Sequence, residues 1–296
     1  MASLKEVRIR IASVKSTRQI TSAMKMVSAS KLRRAQNAIL SMRPYANKLR
    51  EIMRNLSHDL EGSGEGVFSA DRGSNKILII PISSNRGLCG AFNANVSKAT
   101  ANLIHQQFQN QYNNGNVHIF GIGKKGVDGL KSLGFKADSV NTEIFDNLNF
   151  GQVVVIADQL MADFANKKYD RIILIYNQFK NAAVQVLQTE QLLPVAAVDS
   201  AKAENVAQVE ANYIYEPSKA EILAEIVPKT IKIQLYKALL DSNAAEHGAR
   251  MTAMHKATEN ADELLKALNL SYNKARQAAI TNEILEIVGG AEALKG

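Results

Sequence analysis

An apolar seam, stepped alternately by three and four residues, runs from Leu4 to Leu56. Its positions are Leu4, Val7, Ile11, Val14, Arg18, Thr21, Lys25, Ser28, Leu32, Ala35, Ile39, Met42, Ala46, Leu49, Met53 and Leu56. Twelve of the sixteen are apolar and the four polar ones are contiguous. That spacing is the a/d pattern of a coiled coil, sustained over about eight heptads. Across the polar stretch the nearest apolar side is one position back, at Ile20, Met24 and Val27. This predicts either that the seam turns there or that a second partner takes that face. Pro44 is the one contrary residue, since it removes a backbone hydrogen bond and bends a helix. A helix this long spans about 80 Å, so it must protrude and pair, unless it is an ordinary long bundle helix.

Charge sharpens the pattern. Residues 1–57 hold thirteen Lys and Arg against Glu6 and Glu51, a net of +11. The other 239 residues hold 23 basic and 26 acidic side chains, a net of −3. The excess of +8 is thus a property of one helix, which should face something acidic. A Ser- and Arg-rich, acid-poor start can be a transit peptide, but the helical pattern continues far beyond the length of one.

A second helical stretch starts at Glu216-Pro217-Ser218 and is expected to end near Val288, before Gly289-Gly290, with Pro228 kinking it early. Its seam passes through Ile222, Ile226, Leu235, Leu239, Met251, Met254, Ala261, Leu265, Leu268, Tyr272, Ala275 and Ala279. From residue 218 onward ten basic residues balance ten acids. The intervening chain must return to its start, so the two helices should pair antiparallel, each burying the other's stripe.

Between them the texture changes. Residues 58–75 read as a linker. KILIIPIS from Lys76 and NVHIF at 116–120 read as buried strands, and RIILIYNQF with AAVQVLQTEQL, split by Lys180-Asn181, as a hairpin. Helices are expected at about 91–111, 124–133 and 151–167. The alternation predicts a Rossmann-like α/β domain over 76–215, inserted between terminal helices at 1–57 and 216–296. The fold class is therefore α/β plus an antiparallel coiled coil.

Catalytic signals are weak. One cysteine and five histidines argue against disulfide and metal frameworks. Gly121-Ile-Gly-Lys-Lys-Gly126 matches the dinucleotide fingerprint but follows the second strand, and it reads as a structural turn. An NAD-linked enzyme ranks last for this reason. Ser83–Gly90 sits where a phosphate loop would but lacks the Walker pattern. Cys89 reads as a packed thiol. No cofactor and no metal are expected.

Four segments carry a resemblance. The opening Ile11-Ala-Ser-Val-Lys-Ser-Thr-Arg-Gln-Ile-Thr-Ser-Ala-Met-Lys-Met, the loop Arg86-Gly-Leu-Cys-Gly90 with Glu246-His-Gly-Ala-Arg-Met, and the tail Tyr272-Asn-Lys-Ala-Arg-Gln-Ala-Ala-Ile-Thr-Asn-Glu-Ile resemble the gamma subunit of F-type ATP synthase, in family order over nearly the whole chain. The resemblance implies a non-catalytic rotor. The terminal helices would be the shaft inside three alpha and three beta subunits, and the α/β domain a foot on the epsilon subunit and the c-ring. Arg276 and Gln277 would meet the catch loop of beta, Met24 would face beta, and Tyr213 would lie in the foot near the ring. Asn85 departs from the family, which often has Asp there. Chloroplast-type dithiol control is not implied. A bacterial member would be peripheral to the cytoplasmic face of the inner membrane, and the family motif close behind Met1 speaks against a mitochondrial form. The competing reading is a basic coiled-coil protein that binds nucleic acid, although Tyr45 is the one aromatic that 1–57 offers for stacking.

Overall fold

The computed structural model describes residues 4–58, 67–195 and 218–293. The elements in order are α1 (Leu4–His58), β1 (Ile77–Pro81), α2 (Phe92–Gln107), α3 (Gln109–Asn113), β2 (Val117–Ile122), α4 (Lys124–Ser132), β3 (Ser139–Asn141), α5 (Phe150–Ala165), β4 (Arg171–Phe179), β5 (Gln185–Leu193) and α6 (Lys219–Ala293). The chain divides into two compact units. One combines Met1–Ala29 with Arg250–Gly296 and the other is Ser30–Ala249.

In the larger unit a five-stranded sheet has the order β3-β2-β1-β4-β5. β1 pairs parallel with β2 and β4, β2 parallel with β3, and β4 antiparallel with β5. β1 is buried along its whole length. Successive side chains point to opposite faces, so a strand covered on both sides must be apolar throughout. Ile77 and Ile79 join Val96, Ile104 and Phe108 of the α2 side. Leu78, Ile80 and Ile82 join Val153, Leu160 and Phe164 of α5 and Ile231, Leu235 and Leu239 of α6. Over Ile231–Ala245, α6 buries Ile231, Ile233, Leu235, Ala238, Leu239, Leu240, Ala244 and Ala245, which do not lie on a single stripe. A helix apolar on nearly every side is a buried one.

Local side-chain caps mark the starts of α5 and α6. Asn149 caps α5 by accepting from the Gln152 N–H at 3.0 Å. Ser218 caps the start of α6, its hydroxyl accepting from the Glu221 N–H at 3.3 Å and lying 3.1 Å from Glu221 Oε1, to which it donates. α1 and α6 both run on as helix through Pro44 and Pro228. Four expectations change. The helix expected over about 91–111 breaks at Phe108, whose backbone is not helical, into α2 and α3. α6 continues through Gly289-Gly290 to Ala293, neither glycine adopting the positive φ that ends a helix. The hairpin turn is wider than Lys180-Asn181, because the Asn181 side chain accepts from the Ala183 and Val184 N–H groups at 3.0 and 2.7 Å, and β5 begins at Gln185. The short strand β3 was not anticipated.

Within the smaller unit α1 and α6 run antiparallel. Arg8 bonds Tyr272, Arg18 pairs with Asp262, Thr21 meets Thr258 and Lys25 meets His255, so partner numbers fall in step as α1 advances. The seam does not turn. Thr21 and Ser28 are themselves buried, while Ile20 and Val27 are each 57% exposed. Small hydroxyl residues fit a close helix contact and hide their polarity by bonding back along the helix. Ser28 donates to the Met24 carbonyl at 2.7 Å, and Thr21 lies 3.1 Å from the Arg18 carbonyl. Ile20 and Val27 therefore lie outside the contact between α1 and α6.

No helix among the described residues is long and apolar enough to cross a membrane.

Candidate functional site

The residues marked by the sequence do not converge on one pocket. Arg276 and Gln277 are exposed neighbours on α6, and the Gln277 carbonyl accepts from Thr281 at 3.0 Å. Met24 is half-buried on α1, one residue from Lys25. Lys25 meets His255, so Met24 and Arg276 lie about twenty helical positions apart along the pair, or about 30 Å. These positions form a line along a helical surface rather than a cavity. Tyr213 lies outside the described residues.

The surface of this line is cationic and apolar together. Arg10 and Lys15 are exposed. Exposed Ile9 and Met26 share α1 with Ile20 and Val27. Arg8 donates to the Tyr272 hydroxyl at 3.0 Å and holds that phenol below its usual pKa, with Arg276 contributing. The register places Leu4, the first described residue, about level with Arg276, so among the described residues none of α1 lies beside α6 beyond that point. Its large apolar side chains there are exposed, among them Ile280, Ile284, Leu285, Ile287 and Val288. An apolar helix end of this kind needs a partner to cover it.

In the larger unit the two glycine-bearing loops close on each other. Gly126 N–H donates to Ser83 Oγ at 2.9 Å, Lys125 N–H to the Ser84 carbonyl at 2.9 Å, Lys124 N–H to Asn85 Oδ1 at 3.2 Å and Gly123 N–H to the Asn141 carbonyl at 2.9 Å. The donors that would cradle a pyrophosphate are spent inside the protein. A Cβ on Gly123 would lie 2.2 Å from the Ser83 carbonyl oxygen, and one on Gly126 2.5 Å from Ser83 Oγ. The glycines are there for this contact. Asn85 spans the same junction, donating to the Thr142 carbonyl at 2.6 Å while accepting from Lys124. Aspartate could not make the first bond, so Asn85 acts through hydrogen bonding rather than charge. Cys89 is buried, with Asn93 Nδ2 3.2 Å from its sulfur.

One group escaped the sequence reading. Asp241 is 3% exposed, and its Oδ1 has no hydrogen-bond partner. Burial pushes its pKa up to about 6, against the pull of Lys237 and Arg43, while Glu190 adds to the rise. Its signal was a lone acid in the apolar run Ala238-Leu-Leu-Asp-Ser-Asn-Ala-Ala245.

Comparison with known proteins agrees with this geometry. A sequence model of the family described as ATP synthase matches residues 3–294. The ATP synthase gamma chain of Flavobacterium johnsoniae is 57% identical over 296 residues, covering all of both chains. That of Chlorobium limicola is 45% identical over 295 residues, again covering both. Among solved structures, a chain of the Tetrahymena thermophila mitochondrial ATP synthase central stalk and c-ring superposes with a TM-score of 0.58 at 27% identity, over 80% of this chain and 99% of that one. A rotor chain of Euglena gracilis mitochondrial ATP synthase shares the fold, with a TM-score of 0.67 at 20% identity over 94% and 98% of the two chains. With full-length bacterial relatives and a family match from end to end, this chain belongs to the ATP synthase gamma-chain family.

Proposed function

We propose that this chain is the central rotor shaft of an F-type ATP synthase. It couples proton-driven rotation of a membrane ring to the conformational cycling of catalytic subunits, and itself catalyses nothing. The observation that carries the reading is the in-register antiparallel pairing of α1 with α6, from Arg8 with Tyr272 to Lys25 with His255. The pairing uses the inner faces of both helices and leaves the cationic face and the apolar end of α6 for partners.

Three alpha and three beta subunits would surround the shaft. Acidic loops on them would suit the cations of α1, and opposite potentials that are only partly desolvated favour alignment without locking it. Arg276 and Gln277 are the proposed contacts with the beta catch loop, and Met24 the proposed contact lower on the shaft. The α/β domain over 76–215 would be the foot on an epsilon subunit and the c-ring, with Tyr213 near the ring. Residues 1–57 and 216–296 would supply the shaft, joined to the foot through 58–75. The assembly would sit peripherally on the cytoplasmic face of a bacterial inner membrane. The nucleic-acid reading gains nothing from the structure, where Arg8 and Arg18 of α1 are engaged by α6.

Reconstitution tests the reading. The purified chain would be mixed with alpha and beta subunits of the same source, beside a variant truncated before Tyr272. One copy per six partner subunits and strong activation of ATP hydrolysis are expected, with the truncation weakening coupling. No assembly and no activation would refute it.

A further inference from the structure

The open edge of the sheet is its outermost long strand. Among the described residues β5 pairs with β4 alone, so the N–H and C=O groups along its other side face no strand. Edges of this length are ordinarily blunted by proline, lysine or an inward charge. Gln185–Leu193 has no proline and no lysine. Its one charge, Glu190, is already engaged, accepting from the Tyr176 hydroxyl at 2.8 Å and Gln234 Nε2 at 3.0 Å. At the hairpin end Val184, Val186 and Leu187 are exposed by 46, 38 and 39%. An edge left bare, with apolar side chains beside it, is a template for another strand.

A groove of about 510 Å³ runs beside this edge. α2 contributes Asn95, Lys98, Asn102 and Leu103 to its lining, and β5 contributes Leu187 and Thr189. Leu187 and Thr189 are two apart and so share one face of the strand. Each asparagine amide offers both a donor and an acceptor, the pair of functions a peptide backbone presents. Neither Asn95 nor Asn102 uses its side chain in a hydrogen bond among the described residues. Lys98 is the one ionised residue in the lining, and no acid is there to answer it.

We propose that the edge of β5 and this groove take up an extended segment of another subunit of the ATP synthase, added as a strand and carrying an acidic side chain opposite Lys98. The proposal rests on the rotor reading above and specifies how the α/β domain would hold one of its partners. The exposed part, Gln185–Thr189, is five residues. At ~3.3 Å per residue it offers about 17 Å of pairing. Backbone bonds supply the grip, the amides along α2 fix the added strand laterally, and Lys98 selects the acidic segment.

Hydrogen exchange of the full chain, alone and within the assembled complex, tests this. The amides in 185–189 that point away from β4 should exchange at least about tenfold more slowly in the complex. Zero-length carbodiimide coupling should join Lys98 to an acidic side chain of a second subunit, and Lys98→Glu should abolish that product. Leu187→Lys, a surface change that the fold tolerates, should restore fast exchange at the edge in the complex. If α1 and α6 gain protection on assembly while 185–189 do not, the docking proposal fails and the rotor reading stands. Slow exchange of those outward amides already in the isolated chain means that the chain covers its own edge, which also overturns the proposal. Failure of the chain to assemble at all removes both.

Discussion

The Thr21 hydroxyl lies 2.8 Å from that of Thr258, across the seam between α1 and α6. Thr258 also lies 2.8 Å from the Met254 carbonyl, and Thr21 3.1 Å from that of Arg18. Each hydroxyl has one hydrogen, so one bonds across the seam while the other bonds its own helix. Because either side chain has an alternative within its own helix, removing one should cost little. Thr21→Val and Thr258→Val are each expected to lower stability by no more than about 1 kcal/mol, with a coupling of about 0.5 kcal/mol in the double-mutant cycle. Denaturant unfolding of the four proteins measures it, and a coupling of zero would show that the cross-seam bond contributes nothing.

Gly123 is held by space as well as by backbone angle. Its φ is +93° and a Cβ would meet the Ser83 carbonyl oxygen at 2.2 Å. Gly123→Ala should therefore cost upward of about 3 kcal/mol, or prevent soluble accumulation. Gly87→Ala, with nothing within 4 Å and no positive φ, should be nearly silent. Equal expression and equal melting of the two variants would contradict the packing argument.

Asn85 joins the loop after β1 to α4 and to the segment after β3. Asn85→Ala loses both bonds and should cost about 1–2 kcal/mol. Asn85→Asp keeps acceptance from the Lys124 N–H at the start of α4, where a negative charge is favoured, but loses donation to Thr142. It should fall between Ala and the parent in thermal unfolding. An aspartate variant no better than alanine would mean that the Lys124 contact is without weight.

Asp241 makes stability depend on pH in a fixed direction. Its folded-state pKa is raised to about 6 from an ordinary 3.8. Between those values the folded chain holds more protons than the unfolded one, so this group's contribution to stability falls as pH rises from about 4 to about 6 and is level above. Asp241→Asn should raise stability near pH 7 by up to about 3 kcal/mol and flatten that slope. Melting temperatures of both proteins across pH 4–8 decide it, and an unchanged slope would show that the carboxylate is not the source.

Arg276 and Gln277 are exposed, and Gln277 offers its neighbours a backbone carbonyl rather than its amide. Arg276→Ala with Gln277→Ala should leave melting within about 0.5 kcal/mol of the parent. The same pair of changes should reduce ATP-driven turnover of the reconstituted complex. A stability loss without a turnover loss would reverse the roles proposed for them.

The helical pair was legible because long periodic seams state their own partners. Leu4 to Leu56 on one helix needed an equal stripe, and the stripe through Met254 and Ala261 was the available one. The sheet was legible from β1, whose unbroken apolar run fits a strand covered on both faces. What failed to show had no local signature. β3 is Ser-Val-Asn, too short and too polar to mark itself. Burial of Thr21 and Ser28 depends on a helix more than two hundred residues away in sequence. The role of Gly123 and Gly126 depends on Ser83, about forty residues before them. Asp241 is placed by Phe179, Glu190 and Arg43, from three other elements. Met24, Arg276 and Gln277 were found through family resemblance, since their own surroundings distinguish them only as surface.

The cross-links between α1 and α6 have a mechanical consequence. Arg8 with Tyr272, Arg18 with Asp262 and Lys25 with His255 are solvent-facing, and pairs of that kind are each worth about 0–1 kcal/mol. Several weak rungs side by side behave unlike one strong one. Under a twisting load a rung can open and re-form without unzipping its neighbours, while the apolar seam inside keeps the two rails together. A pair joined in this way would behave as a torsion spring. It would yield a little at each level and return the stored strain when the load is released.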